Sequence, residues 1–215
     1  MPGSVPQPTL IAHLTSLRNL HSIVNCGELY CNRILKSKDI TYRDISNLEI
    51  QRTRATFPVP CGPGGTLHDY VPFFFNPLSP MLYRKVRDYY TPIDHRQLVH
   101  ILTTVQAVAA ADLPFVFTTG HATMVQSDYY ENLDELENVD WNVMAAQWWS
   151  HTQDEPDRQC RREAEFLVHG AFPLFLAQGI AVFDDAARVA AEQWLLAKNI
   201  GLPVTVRPDF FYRRR

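Results

Sequence analysis

Apolar positions along the chain fall into short contiguous runs and stripes at helical spacing, and their alternation predicts the elements. Leu10 to Thr15 is a short apolar run suited to a strand; Ser16 follows as a candidate N-cap, and Leu17, Leu20, Ile23 and Val24 give a helical stripe that ends before Gly27. Asp39 to Arg54 can hold a second short helix through Ile40, Ile45 and Leu48. Pro58, Pro60, Gly62, Pro63, Gly64 and Gly65 then make a loop, and Tyr70 to Phe75 reads as a buried strand. Asp94 precedes Leu98, Ile101, Leu102, Val105 and Val108, the stripe of a long amphipathic helix, and Phe115 to Thr118 is the next strand. Asp140 caps a helix through Trp141, Met144 and Trp148. The polar stretch Ser150 to Arg162 reads as an exposed loop, and Phe166 to Val168 is strand-like. Ile180 to Phe183 is a further strand; Asp184 and Asp185 open an alanine-rich helix that Gly201 closes, and Val204 to Val206 starts a terminal strand pair ending at Phe210 to Tyr212.

About six strands and about four or five helices result. Their order does not repeat as a strict βαβ series and no GxGxxG follows a strand, which disfavours a doubly wound dinucleotide fold and predicts an α+β domain with a mixed sheet and flanking helices. No repeat or low-complexity segment is visible, and Pro and Gly isolate no linker, so residues 1–215 are expected to form a single domain.

Composition agrees: 215 residues with 46% hydrophobic positions are enough to bury one substantial core. No run of eighteen apolar residues appears, and Met1 to Pro8 lacks the basic start and apolar stretch of a secretory signal, so a cytoplasmic protein without a membrane association is expected. Cys26, Cys31, Cys61 and Cys160 form no CxxC pair and the histidines include no HExxH, so free thiols and no metal are expected. The net charge of −3 argues against a protein that holds nucleic acid by bulk electrostatics. Charge is nonetheless clustered: acids between Asp128 and Asp140, bases at Arg52 with Arg54, at Arg84, Lys85 and Arg87, and at Arg158, Arg161 and Arg162. A basic groove on an acidic body is compatible with this pattern, and the terminal Arg213 to Arg215 reads as a tail.

The familiar nucleophile and phosphate signatures are absent: there is no GxSxG, and Cys61-Gly62-Pro63-Gly64-Gly65 lacks the lysine of a phosphate loop. What stands out is the pair Glu163 and Glu165, entering an apolar strand directly after Arg161 and Arg162. Residues two apart in a strand share a face, so both carboxylates could enter one cleft, or simply form a solvated strand end.

His13-Leu14-Thr15, followed by Asn19, Leu20, Ser22, Ile23 and Gly27, resembles the first strand and helix of the ADP-ribosyltransferase superfamily, where a His-x-Ser/Thr element receives the adenosine side of NAD. Asp69-Tyr70-Val71-Pro72-Phe73-Phe74-Phe75-Asn76-Pro77 with Ser79-Pro80-Met81-Leu82, the Leu133 to Trp141 segment, and Arg162-Glu163-Ala164-Glu165-Phe166-Leu167-Val168 are similar to the DarT family of DNA ADP-ribosyltransferase toxins, and together these blocks cover most of the chain. The resemblance implies a compact ADP-ribosyltransferase fold, NAD as co-substrate, and transfer of ADP-ribose to a base of single-stranded DNA, with thymine favoured over guanine. It also implies a macrodomain antitoxin partner, DarG; separately, a monomer is expected. RNA, protein or water as acceptor, or an inactive nucleic-acid-binding module, are the alternatives.

Departure of nicotinamide leaves positive charge on the ribose, so a carboxylate beside it is the expected stabiliser, and the resemblance assigns that role to Glu165 with Glu163 as a neighbour that orients substrate. The acceptor base must lose a proton, and the resemblance implies an arginine between the first helix and the Tyr-Val-Pro strand that helps remove or steer it; Arg54 fits best, with Arg52 as competitor. A guanidinium is a poor base, so holding the diphosphate or stabilising a base anion is the easier chemistry. The resemblance further places His13, Leu14, Thr15, Asn19, Ser22 and Leu29 on NAD, and Phe74, Phe75, Ser79 and Met81 at the nicotinamide wall. Trp148, Trp149, His151, Arg158 and Arg161 fall in the acceptor-selecting loop, a mixture suited to stacking on an unpaired base and meeting phosphates. Two positions depart from the family pattern: Phe74 stands where tyrosine is common, and Leu78 where arginine is expected.

Overall fold

The first strand and helix form as the pattern predicts. β1 (Leu10–Ser16) runs into α1 (Leu17–Cys26), whose N-cap Ser16 accepts from the Arg18 amide and whose C-cap Gly27 sits at φ 73, the left-handed geometry that glycine adopts without strain. The computed structural model describes residues 3–88 and 92–212; Met1 and Pro2 of the N-terminal stretch and the Arg213 to Arg215 triplet lie outside them. The later elements are β2 (Glu28–Tyr30), α2 (Asn32–Ser37), α3 (Leu48–Arg54), β3 (Tyr70–Phe74), α4 (Pro80–Val86), β4 (Leu98–Thr104), α5 (Val105–Ala110), β5 (Phe115–Thr118) and β6 (Tyr129–Tyr130). They continue with α6 (Trp141–Ala145), α7 (Arg158–Arg162), β7 (Glu165–His169), β8 (Ala171–Pro173), β9 (Gly179–Val182), α8 (Asp185–Leu196) and β10 (Val204–Val206).

Among the described residues the α+β fold holds, but the main sheet has eight strands rather than about six, ordered β10-β9-β4-β1-β3-β7-β5-β6, with β2 and β8 as a side pair. β1 pairs with β4 along its whole length, from Leu10 opposite Thr104 to Ser16 opposite Leu98, whereas β1 and β3 meet only at Ala12 opposite Phe74. The sheet therefore parts into two halves beyond that pair, and a cleft opens between them. β7 lies between β3 and β5, with Glu165 opposite Phe74. The largest core cluster gathers Ile11, Leu20, Phe73, Ile101, Phe166, Ile180 and Ala191, and a second one joins Leu14 to Leu82, Leu98 and Phe211. No helix of the described residues is long and apolar enough to cross a membrane.

Several expectations are corrected. The long helix expected after Asp94 is strand β4 followed by the short α5. β4 is paired on both edges, by β1 and β9, and Leu98, Val99, His100 and Ile101 are all buried, so apolar residues at consecutive positions, several of them β-branched, outweigh the apparent helical stripe. Asp39 to Arg54 is helical only from Leu48, because the Asn47 side chain caps α3 by accepting from the Glu49 and Ile50 amides. The helix after Asp140 stops at Ala145, short of Trp148, and the expected loop Ser150 to Arg162 ends in α7, which buries Cys160 and Arg162. α8 ends at Leu196 before a turn with Asn199 at φ 55, so Gly201 does not close it. The expected terminal strand pair is a single strand, β10, parallel to β9; Pro208–Phe210 is a 3₁₀ turn instead, its proline fixing φ and removing a ladder donor. Glu163 is the C-cap of α7 and not a strand residue, since β7 begins at Glu165.

The loop after β5 reaches α7 through Gly120, where an added Cβ would lie 2.8 Å from Ser127 Oγ, 2.9 Å from Cys160 Sγ and 3.1 Å from the Cys160 carbonyl oxygen. Gly120→Ala is therefore expected to destabilise the protein by about 1–3 kcal/mol, read as a lower urea midpoint with unchanged slope.

Candidate active site

Glu165, the first residue of β7, forms the floor of the cleft and is 2% exposed. Its backbone is fixed by the Thr118 hydroxyl, which accepts from the Glu165 amide at 3.0 Å and donates to the Gly120 carbonyl at 2.6 Å. Its carboxylate accepts from Arg54 Nη1, at 3.0 Å to Oε1 and 2.9 Å to Oε2, and from the Ala122 amide at 3.2 Å. Burial alone would push this carboxyl upward, but the Arg54 cation, then His121, and the donated hydrogen bonds outweigh it and hold Glu165 ionised below its ordinary range. Arg54 is 7% exposed, and its Nη2 is buried with no hydrogen-bond partner, so one strong donor stands unused beside the carboxylate.

α3 decides between the two candidate arginines. Two positions along a helix turn a side chain more than halfway round the axis, and here Arg54 points inward while Arg52 is exposed. The helix is held by its Asn47 cap, by Lys85 Nζ donating to the Ser46 carbonyl at 3.0 Å, and by a 2.9 Å bond between His68 Nε2 and Gln51 Oε1 one turn before Arg54.

The cleft encloses about 600 Å³, and His13, Leu14, Thr15, Asn19, Ser22, Leu29, Arg54, Phe74, Met81 and Glu165 all line it. That volume falls in the usual range for a ligand site. His13 Nδ1 lies 2.7 Å from the Pro72 carbonyl, which can only accept, so Nδ1 carries the hydrogen and Nε2 is left as an acceptor. Burial pushes the His13 pKa down despite this bond, keeping the ring neutral. Asn19 acts as a tether: its Nδ2 donates to Thr15 Oγ1 and the Arg43 carbonyl, and its Oδ1 accepts from the Arg43 amide at 2.8 Å, which ties the 40s segment to β1. Phe75, expected on the cofactor, faces the core against Phe117, Trp141 and Phe166, and strand alternation turns Phe74 to the cleft in its place. The Ser79 hydroxyl caps α4 by accepting from the Leu82 amide.

The residues expected to meet DNA divide into two groups. Trp148 is 72% exposed and His151 is exposed. Trp149 is buried, with Nε1 donating to the Tyr212 hydroxyl at 2.9 Å, and Arg161 pairs with Asp140, Glu155 and Asp157. Arg158 pairs with Glu155 and donates to the Trp148 carbonyl at 3.2 Å. These three side chains shape the loop from within.

Some participants were given no role from the sequence. His121 follows β5 in a loop with no recognisable motif, yet it lines the cleft beside Glu165. Arg84, from α4, pairs with Glu163. Arg162 is a buried guanidinium whose hydrogen bonds all go to carbonyls: Val143 at 2.7 Å, Met144 at 2.6 Å, Ala146 at 3.2 Å and Leu78 at 3.3 Å, and the Leu78 carbonyl also accepts from the Tyr212 hydroxyl. It staples α6, the segment after it and the segment after β3 to the helix that leads into Glu165. No group of side chains able to hold a metal ion is present among the described residues.

Comparison with known proteins accords with this geometry. A family model described as ssDNA thymidine ADP-ribosyltransferase, DarT, matches residues 12–212. A Thermus aquaticus protein named DNA ADP-ribosyl transferase is 38% identical, over 98% of this chain and 92% of that one. The structure of Thermus sp. 2.9 DarT in complex with ADP-ribosylated ssDNA superposes with a TM-score of 0.91 at 33% identity, covering 99% of this chain and 100% of that one. The structure of Thermus sp. 2.9 DarT in complex with NAD+ gives 0.83 at 32% identity, covering 97% and 100%.

Glu163 supplies a pH-dependent prediction. Burial pushes its carboxyl up to about 7, with the Arg84 cation opposing and the Glu165 charge reinforcing the rise. A carboxyl raised on folding binds its proton more tightly in the native state, so this group's contribution falls as pH climbs from the ordinary glutamate range to about 7. Glu163→Gln is expected to remove that slope. Between pH 4 and pH 8 the unfolding free energy of the variant should gain on wild type by up to on the order of 3 kcal/mol, measured by urea titration at each pH.

Proposed function

The chain belongs to the DarT family of ADP-ribosyltransferases, and from that premise we propose that it transfers ADP-ribose from NAD to thymine in single-stranded DNA with release of nicotinamide. The observation that carries this reading is the buried Arg54–Glu165 pair, with one arginine nitrogen left open, in the floor of a cleft that also holds a neutral His13. The bound NAD+ of one relative and the ADP-ribosylated ssDNA of another complex of that relative support the same assignment.

NAD supplies an activated ribose whose bond to nicotinamide breaks. The chain's part is to place and polarise that centre. His13 Nε2 accepts from an adenosine ribose hydroxyl, with Thr15, Ser22 and Leu29 around it, while Phe74 and Met81 pack on the nicotinamide side. Glu165, ionised by its surroundings, stabilises the positive charge that builds on the ribose. The thymine imide nitrogen bonds to the ribose carbon and loses its proton to solvent; the free Nη2 of Arg54 donates to the adjoining base carbonyl, spreading the negative charge that makes this nitrogen a nucleophile. Trp148 and His151, both exposed, are the side chains offered to an unstacked strand, and an unpaired base reaches a buried floor more cheaply than a stacked one.

In this reading the chain acts as a single catalytic domain and as a monomer. It works in the cytoplasm as the toxin of a pair whose antitoxin is a DarG-type macrodomain.

With NAD and thymine-containing single-stranded oligonucleotides, the protein is expected to yield a product heavier by one ADP-ribose, detected by mass spectrometry. Glu165→Gln and Arg54→Lys should each lower the rate by on the order of 10²–10³. A DNA pool left unmodified by wild type would refute DNA as the acceptor, and adducts confined to guanine oligonucleotides would refute thymine.

A further inference from the structure

The loop that follows β5 is held by its carbonyls. Three consecutive ones each accept from a side-chain hydroxyl of β5, β6 or their connection: Gly120 from Thr118 at 2.6 Å, His121 from Ser127 at 2.9 Å and Ala122 from Tyr129 at 2.5 Å. A segment with no ladder must find partners for its backbone, so hydroxyls on the first two carbonyls are what the fold alone would ask for. The third differs, because Ala122 is also the residue whose amide donates to Glu165 Oε1 at 3.2 Å. Tyr129 is half-buried and sits opposite Thr118. Burial, and then the Glu165 charge, push its hydroxyl above the ordinary tyrosine range, so it stays a protonated donor.

Without that amide Glu165 would lack a second fixed point. Arg54 meets it through one nitrogen, Nη1, at nearly equal distances of 3.0 and 2.9 Å from the two oxygens. A donor on the bisector of a carboxylate fixes where it sits but not the plane it lies in, since turning the group about that axis keeps both distances and the terminal torsion of a glutamate is soft. The Ala122 amide bonds Oε1 alone and so sets the plane. Oε1 then carries two donors and Oε2 only the shared Nη1 among the described residues, which leaves Oε2 with open acceptor capacity.

We propose that Tyr129 is a positioning residue for the transfer: by pinning the Ala122 carbonyl it keeps the amide of the same residue on Oε1, and thereby presents Oε2 to the ribose. The proposal rests on the reading of Glu165 as the group that meets the ribose charge. Tyr129 does not line the cleft, so its hydroxyl acts through Ala122 and leaves NAD binding alone. Release of the pin has a second effect. Burial pushes the Glu165 carboxyl up, while Arg54, His121 and the Ala122 amide bring it down, so a slackened amide moves proton uptake by Glu165 to higher pH.

The test compares wild type, Tyr129→Phe and a protein with p-aminophenylalanine at position 129, which restores a donor in the same place, in steady-state transfer from NAD to thymine-containing single-stranded oligonucleotides across pH. Tyr129→Phe is expected to lower kcat by about tenfold with KM for NAD within about twofold, and to move the acidic limb of kcat to higher pH. The p-aminophenylalanine protein should recover kcat to within about threefold of wild type. A kcat that Tyr129→Phe leaves within about twofold, a loss carried by KM instead, an acidic limb that stays in place, no recovery with p-aminophenylalanine, or a Tyr129→Phe chain that does not fold would each overturn the proposal while the Glu165 reading stands. Glu165→Gln at the wild-type rate, or no adduct from wild type, would overturn the reading beneath it and the proposal with it.

Discussion

A cation and an anion buried against each other, Arg54 and Glu165, are the constraint around which the rest of the molecule is arranged. Removing two charges from water is costly, and their attraction seldom does more than offset the loss, so the pair is not a source of stability. Its value lies in readiness. The carboxylate is already ionised, already oriented by the Ala122 amide, and already facing the cavity before any substrate arrives. The surrounding structure bears the cost: two flanking strands fix β7, the Thr118 hydroxyl fixes the Glu165 backbone, and α3 is capped and tethered so that Arg54 meets its partner.

A second set of interactions holds the irregular segments that adjoin α4, α6 and α7. Arg162, directly before Glu163, donates to carbonyls on α6, on the segment after it and on the segment after β3. Tyr212 grips the same Leu78 carbonyl and receives the indole of Trp149. Charge-assisted bonds to backbone oxygens are among the stronger contacts available in a protein interior, and here they are spent on irregular segments that have no ladder of their own. Trp148 and His151, by contrast, are exposed.

Much of this was legible before any coordinates. His13, Thr15 and Glu165 lie on strands whose apolar runs are unambiguous, and Ser16, Asp140 and Asp184 cap helices where polar residues precede apolar stripes. The misreadings share one cause, that local periodicity does not reveal what covers an element. β4 passed for a helix because a strand flanked on both edges and buried on both faces has no polar side to alternate with. Phe75 turned to the core while Phe74 kept the cleft, because the phase of a strand is set by its partners, and Arg54 could be separated from Arg52 only once α3 was seen to begin at Leu48. Among the DNA-facing expectations, Trp149 is held inside by Tyr212 and Arg161 is engaged by three carboxylates; Asp157 is its i,i+4 neighbour, but Tyr212, Asp140 and Glu155 are partners that no spacing rule identifies. His121 depends entirely on the fold for its position.

The place of β7 in the sheet has a consequence for how the protein is made. The two charged groups are 111 residues apart, and the strand bearing the second is inserted between partners that are synthesised earlier. A chain still leaving the ribosome therefore has α3, β3 and β5 in hand but no carboxylate to complete them, and it carries no working centre until β7 closes the gap. Late assembly of this kind leaves a nascent toxin harmless to the machinery translating it, and a truncated one harmless altogether.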